Sequence, residues 1–134
     1  MRWYFLDSWY FIALWDRFDQ DHATACRIED ALSGFRGVTH DGVLSEVLAY
    51  FSGSGPFARQ RVVASVRRAM RDFTVKPLDR NLFLRGLELY SRRIDKEYSH
   101  VDCVSMSLMT ELGIRSVLTN DHHFQQEGFT VVNQ

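Results

Sequence analysis

Apolar and polar positions along this chain fall into short blocks that switch period. Trp3 to Leu6 is an apolar run closed by Asp7, which predicts a short buried strand. Ser8 to Trp15 and about Asp21 to Leu32 are expected as helices, and Phe35 to Thr39, between Gly34 and Gly42, as a second strand. Val43 to Phe51 predicts a helix that the run Ser52-Gly53-Ser54-Gly55-Pro56 stops. Phe57 to Arg71 is the clearest amphipathic segment. At about 100° per residue, Val62, Val63, Val66, Ala69, Met70 and Phe73 fall on one side and Arg61, Arg67, Arg68 and Arg71 opposite. Phe73 to Val75, Ser116 to Leu118 and Thr130 to Val132 are expected as further strands. Helices are expected at Asp79 to Arg92, around Asp102, and at His122 to Gln126. Strands alternating with helices predict an α/β domain on a mainly parallel sheet.

Composition adds bounds rather than chemistry. The 134 residues suit one domain, 1–134, with room for a core, and 46% are hydrophobic. A formal charge of −1 excludes a generally basic nucleic-acid binder, so any affinity for phosphate must come from a local patch. Cys26 and Cys103 lie far apart without metal-ligand spacing and read as reduced thiols. The apolar start is interrupted by Asp7 and too short to span a bilayer. No membrane association and a cytoplasmic location are therefore expected.

The acids change the picture. Asp7 ends a strand, and Asp121 follows one. Asp102 lies in the first turn of a helix that is apolar nearly all round, through Val101, Val104, Met106, Leu108, Met109 and Leu112. Glu46 borders the apolar face of its own helix. Each has an ordinary explanation. Asp7 and Asp121 suit helix caps, Ser99-x-x-Asp102 is a capping box, and Glu46 suits a surface. Taken jointly they converge at the carboxyl ends of the strands, where an open α/β sheet builds its crevice. Four acids without Lys or Arg beside them repel unless a divalent cation binds. Oxygen-only ligands suit Mg²⁺ or Mn²⁺, not zinc. His100 and His122 are read as decoration.

These residues fall into four motifs. They are a strand ending in Asp7-Ser8, a helical Ser45-Glu46, the helix Ser99-x-x-Asp102-Cys103 running into Glu111-Leu112-Gly113, and Leu118-Thr119-x-Asp121-x-x-Phe124 followed by Gly128-Phe129. The pattern resembles the PIN-domain ribonucleases over nearly the whole chain, and most of all the toxins of VapBC-type toxin–antitoxin pairs. The resemblance implies a three-layer sandwich, with a sheet of four to five strands between helices. It also implies one or two Mg²⁺ or Mn²⁺ ions, RNA cleavage, an antitoxin partner and a homodimer. Asp7, Asp102 and Asp121 would then hold the metal and Glu46 complete the shell. Ser8 and Thr119 would steady neighbouring oxygens.

An acidic pocket needs cations to guide RNA. Arg92 and Arg93, with Lys96, form one candidate face, and Arg67 and Arg71 on the amphipathic helix another. The run from Trp9 to Trp15 is more apolar than one buried side requires, which also suits a protein interface. Two alternatives stand beside the toxin reading: a PIN-like module that binds RNA or protein without cutting, and a housekeeping nuclease without an antitoxin.

Overall fold

A computed structural model describes residues 2–134. Five strands and seven helices follow one another along them. They are β1 (Trp3–Leu6), α1 (Ser8–Trp15), α2 (His22–Ala31), β2 (Arg36–His40), α3 (Asp41–Phe51), α4 (Pro56–Asp72), β3 (Thr74–Lys76), α5 (Arg80–Arg92), α6 (His100–Leu112), β4 (Ser116–Leu118), α7 (His123–Gln126) and β5 (Thr130–Val132).

The sheet has the order β3-β2-β1-β4-β5, and every pairing is parallel. Tyr4, Phe5 and Leu6 of the central β1 are all buried, as a strand covered on both faces must be. From β1 the chain steps outward to β3, then crosses back to β4 and β5. Right-handed crossovers therefore put α1 to α4 on one face and α5 to α7 on the other. The packing follows, with α1 against α2 and α3, α3 against α4, and α5 against α6. This is the expected three-layer α/β sandwich. Leu6 pairs with Leu118, so β1 and β4 end side by side where the strand order reverses.

Three expectations shift. β2 runs one residue further, through His40, and α3 starts two residues earlier, at Asp41. His40 caps α3: its Nδ1 accepts the Gly42 N–H at 3.0 Å, which leaves the Nε2–H to donate to Ser105 Oγ at 2.9 Å. On α4 only Val62, Val66 and Ala69 are buried, while Val63 and Met70 are exposed. That helix packs on α3 and β3 and needs only a narrow stripe. On α1, Tyr10 and Phe11 are core and Trp9 and Trp15 half-buried. Much of its all-round apolarity is used within the chain, between the sheet, α2 and α3, and the Trp9 indole donates to Asp21 Oδ2 at 2.9 Å.

Among the described residues no helix is long and apolar enough to cross a membrane. Both cysteines are free thiols.

Candidate functional site

Asp7 stands at the point where β1 becomes α1. Its backbone N–H still bonds the Leu118 carbonyl at 3.3 Å, extending the β1–β4 pairing by a residue. Although Asp7 occupies the cap position of α1, its carboxylate makes no side-chain cap bond there. Oδ2 instead accepts the Thr119 hydroxyl at 2.8 Å, across the crevice. The side chain is only 6% exposed. Burial pushes its carboxyl up to about 7; the Thr119 and Ser8 hydrogen bonds oppose that, and the charges of Asp102 and Glu46 add to it.

Thr119 also accepts the Asp121 N–H at 3.1 Å, which fixes the turn that follows β4. Asp121 Oδ1 in turn accepts the His123 N–H at 2.9 Å at the start of α7. Ser99 and Asp102 form the expected capping box, each side chain bonding the other's backbone N–H at 3.0 Å. That box anchors the first turn of α6, and the oxygen that accepts the Ser99 N–H, Oδ2, is also the one 3.6 Å from His123 Nδ1. Burial raises the Asp102 carboxyl, and the Asp121 charge adds to the rise. Burial likewise raises Glu46 on α3, with Asp102 adding and the Ser8 hydroxyl opposing.

The four acids named from the sequence therefore share one crevice. Among the described residues no lysine or arginine pairs with any of them; their ion-pair contacts are to His122 and His123. Burial, with the charge of neighbouring acids, raises the carboxyls of Asp7, Glu46 and Asp102, and a positive charge among them would relieve it. Their hard oxygen donors fit a divalent cation such as Mg²⁺ or Mn²⁺.

The basic candidates are placed differently. The Arg93 guanidinium forms a bidentate pair with Glu127, at 2.8 to 3.2 Å, and the Tyr98 hydroxyl donates to the same carboxylate at 3.1 Å. Arg92 remains largely exposed and lies 3.9 Å from Glu88. Arg67 and Arg71 are exposed on α4, whose neighbours are Phe35, Phe73 and the end of α1. Phe35 and Phe73 stand just before β2 and β3, at the amino ends of the strands, whereas the acids gather at the carboxyl ends. His122 is 71% exposed, and His100 donates to the Phe83 carbonyl at 3.0 Å.

Arg80 begins α5 just past the carboxyl end of β3 and lies over the Phe83 ring, which packs on His100 at 4.3 Å. One residue joins the acids beyond those singled out from sequence. His123 directs Nδ1 at the acids, 3.2 Å from Asp121 Oδ1 and 3.6 Å from Asp102 Oδ2. The His122-His123 doublet was the visible signal, because a helix beginning after Asp121 turns its second ring back to the carboxylate.

Comparisons with known proteins agree with this geometry. Comparison with curated proteins finds no match. VapC20 of Mycobacterium tuberculosis, described as a sarcin–ricin loop cleaving toxin, is 27% identical, with a TM-score of 0.85 over 97% of this chain and 98% of that one. A chain of VapBC2 from Rickettsia felis is 12% identical with a TM-score of 0.72, covering 98% of each. A chain of FitAcB from Neisseria gonorrhoeae is 14% identical with a TM-score of 0.69, covering 96% of each. The PIN-domain family matches residues 4–129, spanning all four acids from Asp7 to Asp121. On this match and the shared architecture, the chain belongs to the PIN-domain family.

Proposed function

We propose that this protein is a Mg²⁺- or Mn²⁺-dependent endoribonuclease that acts as the toxin of a toxin–antitoxin pair. The observation that carries the reading is the convergence of Asp7, Glu46, Asp102 and Asp121 at the β1–β4 switch point, with no lysine or arginine paired to them among the described residues. Likeness to a sarcin–ricin loop cleaving toxin supports RNA as the substrate class, and likeness to chains of VapBC complexes supports an antitoxin as a partner. Exposed Leu84, Leu87, Tyr90 and Ile94 on and just after α5 offer apolar surface for a second chain, antitoxin or homodimer mate.

In this reading Asp7, Asp102 and Asp121 hold the cation and Glu46 completes the shell or orients water. Bound there, a divalent cation offsets charge on the scissile phosphate and lowers the pKa of attacking water. Thr119 keeps Asp7 and Asp121 in register with each other. Ser8 stands beside Glu46 and tempers the rise of its carboxyl. The capping box holds the Asp102 carboxylate in one orientation. Arg80 and the exposed Arg92 are the phosphate guides, whereas Arg93 serves as a clamp through Glu127.

Purified protein with Mg²⁺ or Mn²⁺ is expected to cleave RNA, and Asp7→Asn or Asp102→Asn to abolish cleavage while folding persists. Undiminished cleavage by both variants overturns the assignment. RNA or partner binding with no cleavage by the wild type, at any divalent cation tried, favours the non-catalytic module instead.

A further inference from the structure

His123 Nδ1 is buried and has no hydrogen-bond partner among the described residues. The ring is held firmly all the same. It packs against Tyr98 at 5.4 Å between centroids and against His122 at 4.6 Å, and Tyr98 is itself tied to Glu127 and Arg93. A buried ring nitrogen left unbonded costs free energy, so an arrangement that holds it there calls for a partner. Nδ1 lies 3.2 Å from Asp121 Oδ1 and 3.6 Å from Asp102 Oδ2, yet aligned for a hydrogen bond with neither. Bonds of about 2.1 Å to a six-coordinate cation separate adjacent donors by about 3 Å. The donor atoms of Asp121, His122 and His123 lie within 4.8 Å of one another, the span of donors around one ion, and Asp102 Oδ2 stands 3.6 Å from the same Nδ1.

We infer that His123 Nδ1 is a direct nitrogen ligand of the cation held by Asp102 and Asp121, so that the centre selects Mn²⁺ over Mg²⁺. The inference rests on reading the four acids as a cation site. Carboxylate oxygen suits both ions, but imidazole is a softer donor that Mg²⁺ accepts poorly. A single nitrogen in an otherwise oxygen shell is enough to separate them. His122, whose donor atom belongs to the same cluster but whose ring is exposed, is the comparison that shows which histidine binds.

Calorimetric titration of the protein with MnCl₂ and MgCl₂, together with pulsed EPR of the Mn²⁺ form, tests this without any nuclease assay. The wild type is expected to bind Mn²⁺ at least tenfold more tightly than Mg²⁺ and to show nitrogen coupling to the manganese. His123→Ala is expected to bring the two affinities within about threefold and remove the coupling; His122→Ala leaves both unchanged. Should His123→Ala not fold, ¹⁵N-histidine labelling of the wild type and of His122→Ala still shows whether a histidine nitrogen, and which one, is bound. Absence of coupling in a Mn²⁺-loaded wild type overturns the inference and leaves His123 a counter-charge to the acids. Coupling that survives His123→Ala overturns it as well. Binding of neither ion by the wild type overturns the cation reading of the acids itself.

Discussion

Thr119 performs two tasks with one hydroxyl: it donates to Asp7 Oδ2 and accepts from the Asp121 backbone. It thereby couples acids that stand 114 residues apart, as 121 minus 7 gives. Thr119→Val preserves shape and removes both bonds. With Asp7 buried, the unpaired oxygen is expected to cost about 1–3 kcal/mol in urea unfolding. The same change deletes the largest influence holding the Asp7 carboxyl down, so its pKa rises further from about 7. The acid limb of a cleavage–pH profile moves to higher pH accordingly, and Thr119→Ser restores both properties. A profile that does not move denies Thr119 its positioning role. At this scale the capping box of Ser99 and Asp102 was legible because its partners are three residues apart. His123 was not, because half of what it faces is Asp102, on another helix.

Among the elements, α6 matters most because its first turn carries Asp102, and α5 lies directly on it. The two meet at Gly86. A Cβ there would come within 3.0 Å of the Val104 Cα and N, so backbone rather than a flexible side-chain tip must move. Gly86→Ala gains about 1 kcal/mol of helix propensity yet is expected to lose about 1–3 kcal/mol to overpacking. It is therefore neutral to destabilising in urea titration, and cleavage falls further than stability does because α6 is displaced. Gly53→Ala has open space around it and serves as the reference, with stability unchanged within about 0.5 kcal/mol. Equal activity in the two variants would show that the α5–α6 spacing does not govern the site. Periodicity located α4 but not its buried stripe: a six-member apolar side became Val62, Val66 and Ala69 because α4 packs chiefly on α3 and β3.

For the whole molecule, two buried groups set opposing responses to pH. The Asp7 carboxyl, raised from 3.8 to about 7, favours the fold when protonated; its contribution is full below about pH 4 and declines as pH rises to about 7. Burial lowers His40 from 6.5 to about 4, so the fold favours neutral imidazole. That contribution is full above about pH 6.5 and is lost as pH falls toward 4. Between these limits each slope approaches about 1.4 kcal/mol per pH unit, with opposite sign, and the two largely cancel. Asp7→Asn removes one of them. The metal-free variant is expected to exceed the wild type in stability near pH 8, with the gap closing towards pH 4, as read from urea titrations across that range. Saturating Mn²⁺ should close the gap at pH 8 by holding Asp7 ionised. Parallel stability curves for the two proteins would contradict the burial of an uncompensated charge at Asp7.

The sequence by itself determined the order of strands and helices, the four acids and the family, because these depend on local pattern and short spacings. Apolar runs, glycine stops and the Ser-x-x-Asp box act over a few residues, and one chain displays them plainly. Only the tertiary structure decided where the basic side chains fall. Arg93 turns to Glu127, Arg67 and Arg71 stay exposed on α4, and the His123 ring comes to Asp102 and Asp121. It also decided that His40 meets Ser105 across 65 positions. Crossing helices and parallel pairing bring such residues together through space, and no periodicity along a single chain encodes that proximity.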